Sequence, residues 1–521
     1  MNSTFDNRRR GLLQTLGAGA SMASMGFPGL IRAAQSTKAE VFRLGVASGE
    51  PHPEGFTLWT RLMATESEPL PAEVPVQWEV AADEQFRQLV QRGEQIAHTG
   101  WAHSVHIDVR GLEASRPYWY RFTALGQQSG VGRTRTAPEP TTAESLHFVT
   151  ANCQRWDQGH YAAWHQISRE MPDLVLFLGD YIYEYGAVAS RIRSHDGGRI
   201  STLAQYRARY AQYKSDPALQ AAHAIAPWMV IWDDHEVEND YAGLQGERLQ
   251  RDFARQRAAA YQAYWENMPL PNAMRPDVDR TGGALNLYRR REWGTLARLH
   301  FLDDRQYRDV QVCPRPGMGG SAVVKRVECR SMDDPSRSLL GREQENWLAQ
   351  GWDLGRPWNL VAQQTLMARM AWTDPTAGDG GSYWTDGWDG YPHARTRLLD
   401  VVAQRKVPGV VVLGGDVHAH YVADLKSDFD DPRSSTVATE FCSTSISSVG
   451  PNNTKLQQSK VFNPHLRYAR SDQRGYMSFK LSERSLEARV MALNDVTDPD
   501  SAIQVAARYT VDSREPGAHS V

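Results

Sequence analysis

The chain reads as an α/β protein, with a β-sandwich on its N-terminal side and a layered α/β domain after it. Three observations carry that reading. Between residues 41 and 140, short segments alternate apolar and polar positions at period two, separated by turns rich in Pro and Gly. From residue 146 onward, apolar runs alternate with helix-like stretches, the pattern of a layered α/β domain. The central run, Leu-Val-Leu-Phe-Leu over 174–178, has no polar interruption, so it predicts a strand buried on both faces. It ends in Gly179-Asp180, and the carboxyl ends of strands are where open α/β sheets place ligands.

Composition sets the outer bounds. A chain of 521 residues is too long for one small core and predicts more than one domain. Its 41 % apolar and 23 % charged residues are ordinary for a soluble globular protein. A net charge of −3 offers no basic stripe, so no nucleic-acid partner is expected and a nuclease is disfavoured. Residues 1–36 read as an export signal. Arg8-Arg9-Arg10 precedes Leu12-Leu13, a weakly apolar Gly/Ala-rich stretch runs to Ile31, and small residues follow at Ala34 and Ser36. Arg9-Arg10-Gly11-Leu12-Leu13 resembles a twin-arginine signal, which implies the twin-arginine export machinery as a partner and a periplasmic or extracellular destination. The stretch is too short and too rich in small residues for a stable membrane span.

Taken in order, residues 37–140 form the expected sandwich. Segments 74–80 and 104–109 alternate strictly, and 118–122 is aromatic and strand-like; the segment resembles a fibronectin-type III domain. Residues 135–140 read as a proline-bearing linker. Over 141–512, strands are expected at 146–153, 174–178, 227–232, 295–302, 358–363 and 409–415, with helices at 161–170, 203–224, 251–265, 342–352 and 395–404. Shorter β-like runs return over 436–490, and 513–521 reads as a loose tail. Cys313 and Cys329 lie in a Pro/Gly-rich segment and are expected to close a loop by a disulfide in an oxidising compartment.

One strand after another ends in a residue able to bind a metal: Cys153, Asp180 with Tyr183, Asp234 with His235, and Asp416 with His418. Taken singly, each has an ordinary structural explanation: a buried thiol, a turn-capping carboxylate, a paired core histidine. Their co-occurrence at successive strand ends points to one sheet edge that gathers ligands.

Gly179-Asp180, Asp234-His235-Glu236 and Gly415-Asp416-Val417-His418 together resemble the motif blocks of calcineurin-like metallophosphoesterases. Asp234 stands where that pattern usually has Asn, Asp416 where it usually has His, and Cys153 near the usual Asp-x-His. Those departures resemble the alkaline phosphatase D (PhoD-like) family, with further similarity at Gly45 to Pro51, Asn152-Cys153-Gln154, Asp303-Asp304-Arg305 and Trp388-Asp389-Gly390-Tyr391. The resemblance implies an α/β/β/α metallophosphoesterase domain and an Fe(3+)/Ca(2+) pair. Thiolate, phenolate and imidazole suit iron, which assigns Cys153, Tyr183 and His418 to it. Oxygen ligands suit calcium, which assigns Asp234, Asp416 and Asn239 there, with Asp180 bridging. Ligand chemistry alone allows other metal pairings. Asp233, Glu236 and His420 are expected to support these ligands, as is Asn239 if it does not bind directly.

The implied activity is that of an exported alkaline phosphatase/phosphodiesterase. It hydrolyses phosphate esters by in-line attack of a metal-bound hydroxide, with Asp180 and His235 catalytic and His235 donating a proton. Arg155, Arg305 and Arg395 are expected to hold phosphate oxygens. Two other readings stand beside it: a phospholipase D-like or other diester-specific enzyme on the same scaffold, and a non-catalytic metal-binding surface protein.

Overall fold

Two β-sheets packed face to face, with helices outside each, bring the expected strand ends together. The computed structural model describes residues 40–64, 69–189, 191–431 and 433–521; the expected export signal lies outside them. The first sheet runs through ten strands, with Leu146–Ala151, Leu174–Phe177 and Trp228–Val230 parallel at its centre. The second has seven strands, with Ala297–Phe301, Trp358–Ala362, Val410–Gly414 and Thr436–Cys442 parallel in that order. The apolar runs are explained by this double burial. Leu174 and Leu176 point into the core between the sheets with Leu360, Val411, Leu413 and Phe441, whereas Val175 and Phe177 pack under the outer helices with Trp164 and Trp228. On the second sheet Val411 and Leu413 face inward, and Val410 and Val412 face Leu399 and Val402 of the helix Pro392–Arg405. The α/β/β/α architecture is as expected.

The sandwich is present but not separate. A five-stranded sheet containing Glu73–Ala81 and Pro117–Ala124 packs Val74, Val76, Tyr120 and Phe122 against Val46, Phe56, Leu58 and Val105. Those last residues belong to strands that extend the ten-stranded sheet, because Val46–His52 pairs parallel with Trp228–Val230 at Gly49 and Trp228. Glycine is required there: a Cβ at Gly49 would lie 2.4 Å from the Pro269 carbonyl oxygen and 2.7 Å from that of Trp228. Lys38–Val521 is accordingly one packed unit, and the expected linker at 135–140 marks a change of architecture rather than a gap between bodies.

Two local expectations are corrected. The single helix expected over 203–224 is two, Leu203–Lys214 and Pro217–Ile225, because the Asp216 side chain accepts from Ala218 N and Leu219 N while Pro217 takes the first helical position. The tail expected to be loose from residue 513 forms a strand, Glu515–Ser520, antiparallel to Ile503–Asp512. Distant partners hold it: Gly517 N donates to Thr439 Oγ1 and Ala518 N to Asp424 Oδ1. Arg289–Trp293 is an edge strand with no apolar run, held by the ion pair of Arg289 with buried Glu50. Cys313 and Cys329 are joined by a disulfide, and Cys153 and Cys442 are free and buried.

Candidate metal centre

The strands Leu174–Phe177 and Trp228–Val230 lead into turns that clamp each other. Gly179 has φ +109° and no room for a side chain, since a Cβ would sit 2.4 Å from Asp233 Cβ. Glu236 ties two of these turns together, accepting from Asp180 N (3.1 Å), Tyr181 N (2.6 Å) and Asp233 N (2.9 Å). Cys153, Asp180, Asp416 and His418 all have positive φ, between 51° and 64°. Non-glycine residues hold that conformation at a cost of about 1–3 kcal/mol each, and such strain clusters at functional sites. The sheet edge thus fixes backbone geometry so that side chains converge.

They converge on Asp180. Tyr183 donates its hydroxyl to Asp180 Oδ2 (2.7 Å) and lies 3.1 Å from His418 Nε2. His418 Nδ1 lies 2.9 Å from the Val449 carbonyl and donates to it, which sets Nε2 3.9 Å from Asp180 Oδ2. The Cys153 thiol, Asp180 and His418 offer ligand atoms within 4.8 Å of one another, as do Asp180, Asp234 and His235. His235 Nδ1 meets Glu184 Oε2 at 2.7 Å, and Glu184 is held by Arg199 at 2.7 Å. Ser448 Oγ lies 2.8 Å from the Tyr183 hydroxyl.

The protein alone leaves this site over-charged with carboxylates. Burial pushes the Asp416 and Asp233 carboxyls well above the usual range despite Arg305, and raises Asp234 to about 7. Burial also raises Asp180, but His235 and then His418 outweigh it and hold Asp180 below the usual range. In return Asp234, Asp180 and Glu184 overcome burial and lift His235 to about 10. Burial, then the nearby Asp180, pushes the Cys153 thiol and the Tyr183 phenol well up. Asp233 Oδ2, Asp234 Oδ1 and Asp416 Oδ2 are buried without a hydrogen-bond partner. Buried carboxylate oxygens in that state call for a cation. The donor set fits: thiol, phenol and imidazole on one side suit a transition metal, and carboxylates on the other suit a hard cation.

Some expected residues lie elsewhere. Arg305 is not available to a substrate: its side chain is 1 % exposed and donates to Asp233 and to Asp386 (2.6 Å), with Nη2 3.8–3.9 Å from Asp416 and Asp234. It is an internal counter-charge. Arg395 pairs with Asp389 (2.7 Å) and donates to the Met367 carbonyl, meeting none of the convergent residues. Arg155 does stand at the site, stacked over the Tyr185 and Tyr183 rings and held by both oxygens of Asp157. Asn239 lies at the rim, where its Oδ1 accepts from Tyr185 (3.1 Å). His420 is fully buried and accepts from Thr444 N, so it serves the fold.

Sequence reasoning missed Asp240, Asp386 and Glu184. Asp234, Asp240 and Asp386 form a third group of ligand atoms within 4.8 Å, all buried. Asp240 was within reach, one residue beyond the Asp234–Asn239 motif; Asp386 follows the three-residue strand Ser382–Trp384 and carries no periodic signal.

A two-sheet α/β/β/α fold with thiol, phenol, imidazole and carboxylate donors at one sheet edge defines a metallophosphoesterase. The family model "PhoD-like phosphatase" matches residues 148–490, and that of its N-terminal domain matches 29–138. Alkaline phosphatase D of Bacillus subtilis (strain 168) is 39 % identical over 544 residues, covering 100 % of this chain and 90 % of that protein. A solved structure of PhoD superposes with a TM-score of 0.85 at 38 % identity, covering 94 % of this chain and 93 % of that one. A purple acid phosphatase from yellow lupin (Lupinus luteus) seeds shares the fold, with a TM-score of 0.55 at 12 % identity over 90 % of this chain and 74 % of that one. The chain belongs to the PhoD-like phosphatase family and is a phosphoesterase of the alkaline phosphatase type.

Proposed function

We propose that this phosphoesterase works outside the cytoplasm, that Cys153, Tyr183 and His418 would hold Fe(3+), that Asp234, Asp416 and, from the rim, Asn239 would hold Ca(2+), and that Asp180 would serve both. The observation that carries the reading is the set of orphaned, buried carboxylate oxygens on Asp233, Asp234 and Asp416 facing a thiol–phenol–imidazole group. Asp240 and Asp386 enlarge the oxygen side of the site. The export signal over 1–36 supports the location and the twin-arginine route. When bound, the cations supply charge neutralisation for the phosphoryl oxygens, the main demand of phosphoryl transfer.

The chain's own residues do the rest. Arg155, fixed by Asp157 and stacked on two tyrosines, presents its outer face to phosphate oxygens. Glu184 accepts the proton on His235 Nδ1 as a hydrogen bond, which leaves Nε2–H to point into the site. Burial lowers the His235 pKa and Asp234, Asp180 and Glu184 raise it; with Asp234 and Asp180 engaged by cations, His235 relies on Glu184 to stay a proton donor. It then gives that proton to the departing alkoxide or phenoxide as water's oxygen bonds to phosphorus and the ester P–O bond breaks. Asp180→Asn tests the assignment: hydrolysis of an aryl phosphate is expected to be lost. Undiminished hydrolysis by a variant with unchanged metal content would remove Asp180 from the centre. Aryl monoesters and diesters compared side by side then separate a general phosphatase from a diester-specific enzyme.

A further inference from the structure

Asp240 and Asp386 come from irregular chain, yet their carboxylates lie at ligating distance from Asp234. Asp240 has φ +53°, and Asp386 follows a strand of only three residues. Arg305 (2.6 Å) and Arg308 (3.2 Å) pair with the Asp386 carboxylate, and a strap of chain links Asp240 to the segment that carries Asp386. Asp240 Oδ2 accepts from Ser321 N (2.8 Å) and Ser321 Oγ (2.6 Å), and Ser321 Oγ in turn accepts from Trp384 Nε1 (2.9 Å). Ala322 and Thr385 are joined three times: Ala322 N donates to Thr385 Oγ1 (3.0 Å), and Thr385 N (3.0 Å) and Oγ1 (3.2 Å) donate to the Ala322 carbonyl. Val323–Lys325 then pairs antiparallel with Ser382–Trp384, the strand leading into Asp386. Gln311 donates to the Asp240 carbonyl (2.8 Å) and to Asp386 Oδ1 (2.6 Å). Gly320 passes so close that a Cβ would lie 2.9 Å from Asp240 Cβ.

This strap has little stability of its own. Two strands of three residues are marginal in water. What closes it is the Cys313–Cys329 bond, set in a small separate core with Val312, Met332, Ala371 and Tyr383. Among the described residues, no side-chain hydrogen bond joins the strap to Cys153, Tyr183 or His418, whose side chains meet one another, Asp180, Ser448, Val449 and the Asp416 carbonyl. The strap thus reaches the carboxylate end of the centre and not the thiol–phenol–imidazole end.

We propose that Ser321 and the Cys313–Cys329 disulfide are positioning elements for the carboxylate group Asp234, Asp240 and Asp386, so that this hard-cation site is completed only once the disulfide has formed. The inference rests on reading that carboxylate group as a calcium site. Oxidation removes two electrons and two protons from the thiols, through exchange with a protein or small-molecule disulfide that is reduced to the dithiol. In a cytoplasm that keeps thiols reduced, the strap is open and the site incomplete; in an oxidising compartment it closes. Cation loading at this end of the site thus follows delivery to that compartment.

The test uses the full mature chain with its iron retained and calcium removed by chelation. Calcium binding is measured by calorimetry alongside iron content and the visible absorption band. The oxidised parent is expected to bind calcium, and Cys313→Ser/Cys329→Ser to bind it at least ten-fold more weakly with iron and band unchanged. Ser321→Ala, which keeps the disulfide and guards against a folding defect, is expected to weaken calcium several-fold. Equal calcium binding by parent and both variants overturns the positioning proposal. Parallel loss of iron and calcium overturns it too, since the strap would then be supporting the whole fold. No calcium binding by the oxidised parent instead overturns the reading of the carboxylate group as a calcium site.

Discussion

Replacing Arg305 by Met is the perturbation that separates an internal counter-charge from a substrate ligand. The guanidinium is buried among Asp233, Asp386, Asp234 and Asp416, between hydrogen-bond distance and 3.9 Å. A unit pair about 4 Å apart is worth roughly 4 kcal/mol at an effective dielectric of 20. Removing one partner from such a buried network costs about 3–5 kcal/mol, because the remaining carboxylates are left uncompensated. The unfolding entropy of a unit of about 480 residues is on the order of 1 kcal/mol/K, so the expected drop in Tm is about 3–5 °C in chelator. Calcium supplies the missing positive charge, so its affinity for the variant rises. A ten-fold gain adds about 1.4 kcal/mol of ligand stabilisation over the parent. Differential scanning calorimetry with chelator and with saturating calcium reads both effects. A variant as stable as the parent in chelator, or one that calcium stabilises no more than the parent, refutes the reasoning.

Glu184→Ala is expected to slow hydrolysis of alkyl phosphates by about 10²-fold or more while sparing p-nitrophenyl phosphate, because the His235 proton matters most for poor leaving groups; equal losses on both substrates would deny His235 that role. Acid stability is set in part by Glu170. Burial raises its carboxyl, but His147, Tyr476, Ser478 and Arg489 overcome that and hold it at about 2. A depressed carboxyl stabilises the fold above its unfolded pKa, near 4.5, and the benefit fades as pH falls toward about 2. The shift amounts to about 3 kcal/mol. Glu170→Gln should accordingly be less stable than the parent in urea at pH 6, with the gap narrowing at pH 3; a gap independent of pH would assign the effect to packing.

The sequence made the centre legible wherever a buried strand delivered the residue. Apolar runs at 146–153, 174–178, 227–232 and 409–415 pointed to a sheet edge, and Cys153, Asp180, Tyr183, Asp234 and His418 arrive there on turns of which those at Asp180 and Asp233 are locked by Glu236 and by the tight contact at Gly179. Asp386 was not legible, since its partners Arg305 and Arg308 and the strap at Ser321 and Ala322 all lie more than sixty residues away in the chain. Arginine roles were equally hidden. The same residue type sits stacked at the mouth at position 155, sealed among carboxylates at 305 and paired with Asp389 at 395. Periodicity does not report which carboxylates surround a charge. The C-terminal strand Glu515–Ser520 was missed for a related reason: Glu-Pro-Gly-Ala-His-Ser has little strand preference, and Thr439 and Asp424 supply its hold from afar.

The most direct measurement is elemental analysis of the mature protein recovered from its own compartment, with the visible spectrum recorded on the same sample and on Tyr183→Phe. Iron together with calcium is expected, along with a phenolate-to-iron absorption band that disappears in Tyr183→Phe. Zinc alone, or a band that survives the substitution unchanged, would contradict the assignment of Tyr183 to an iron site beside Asp180.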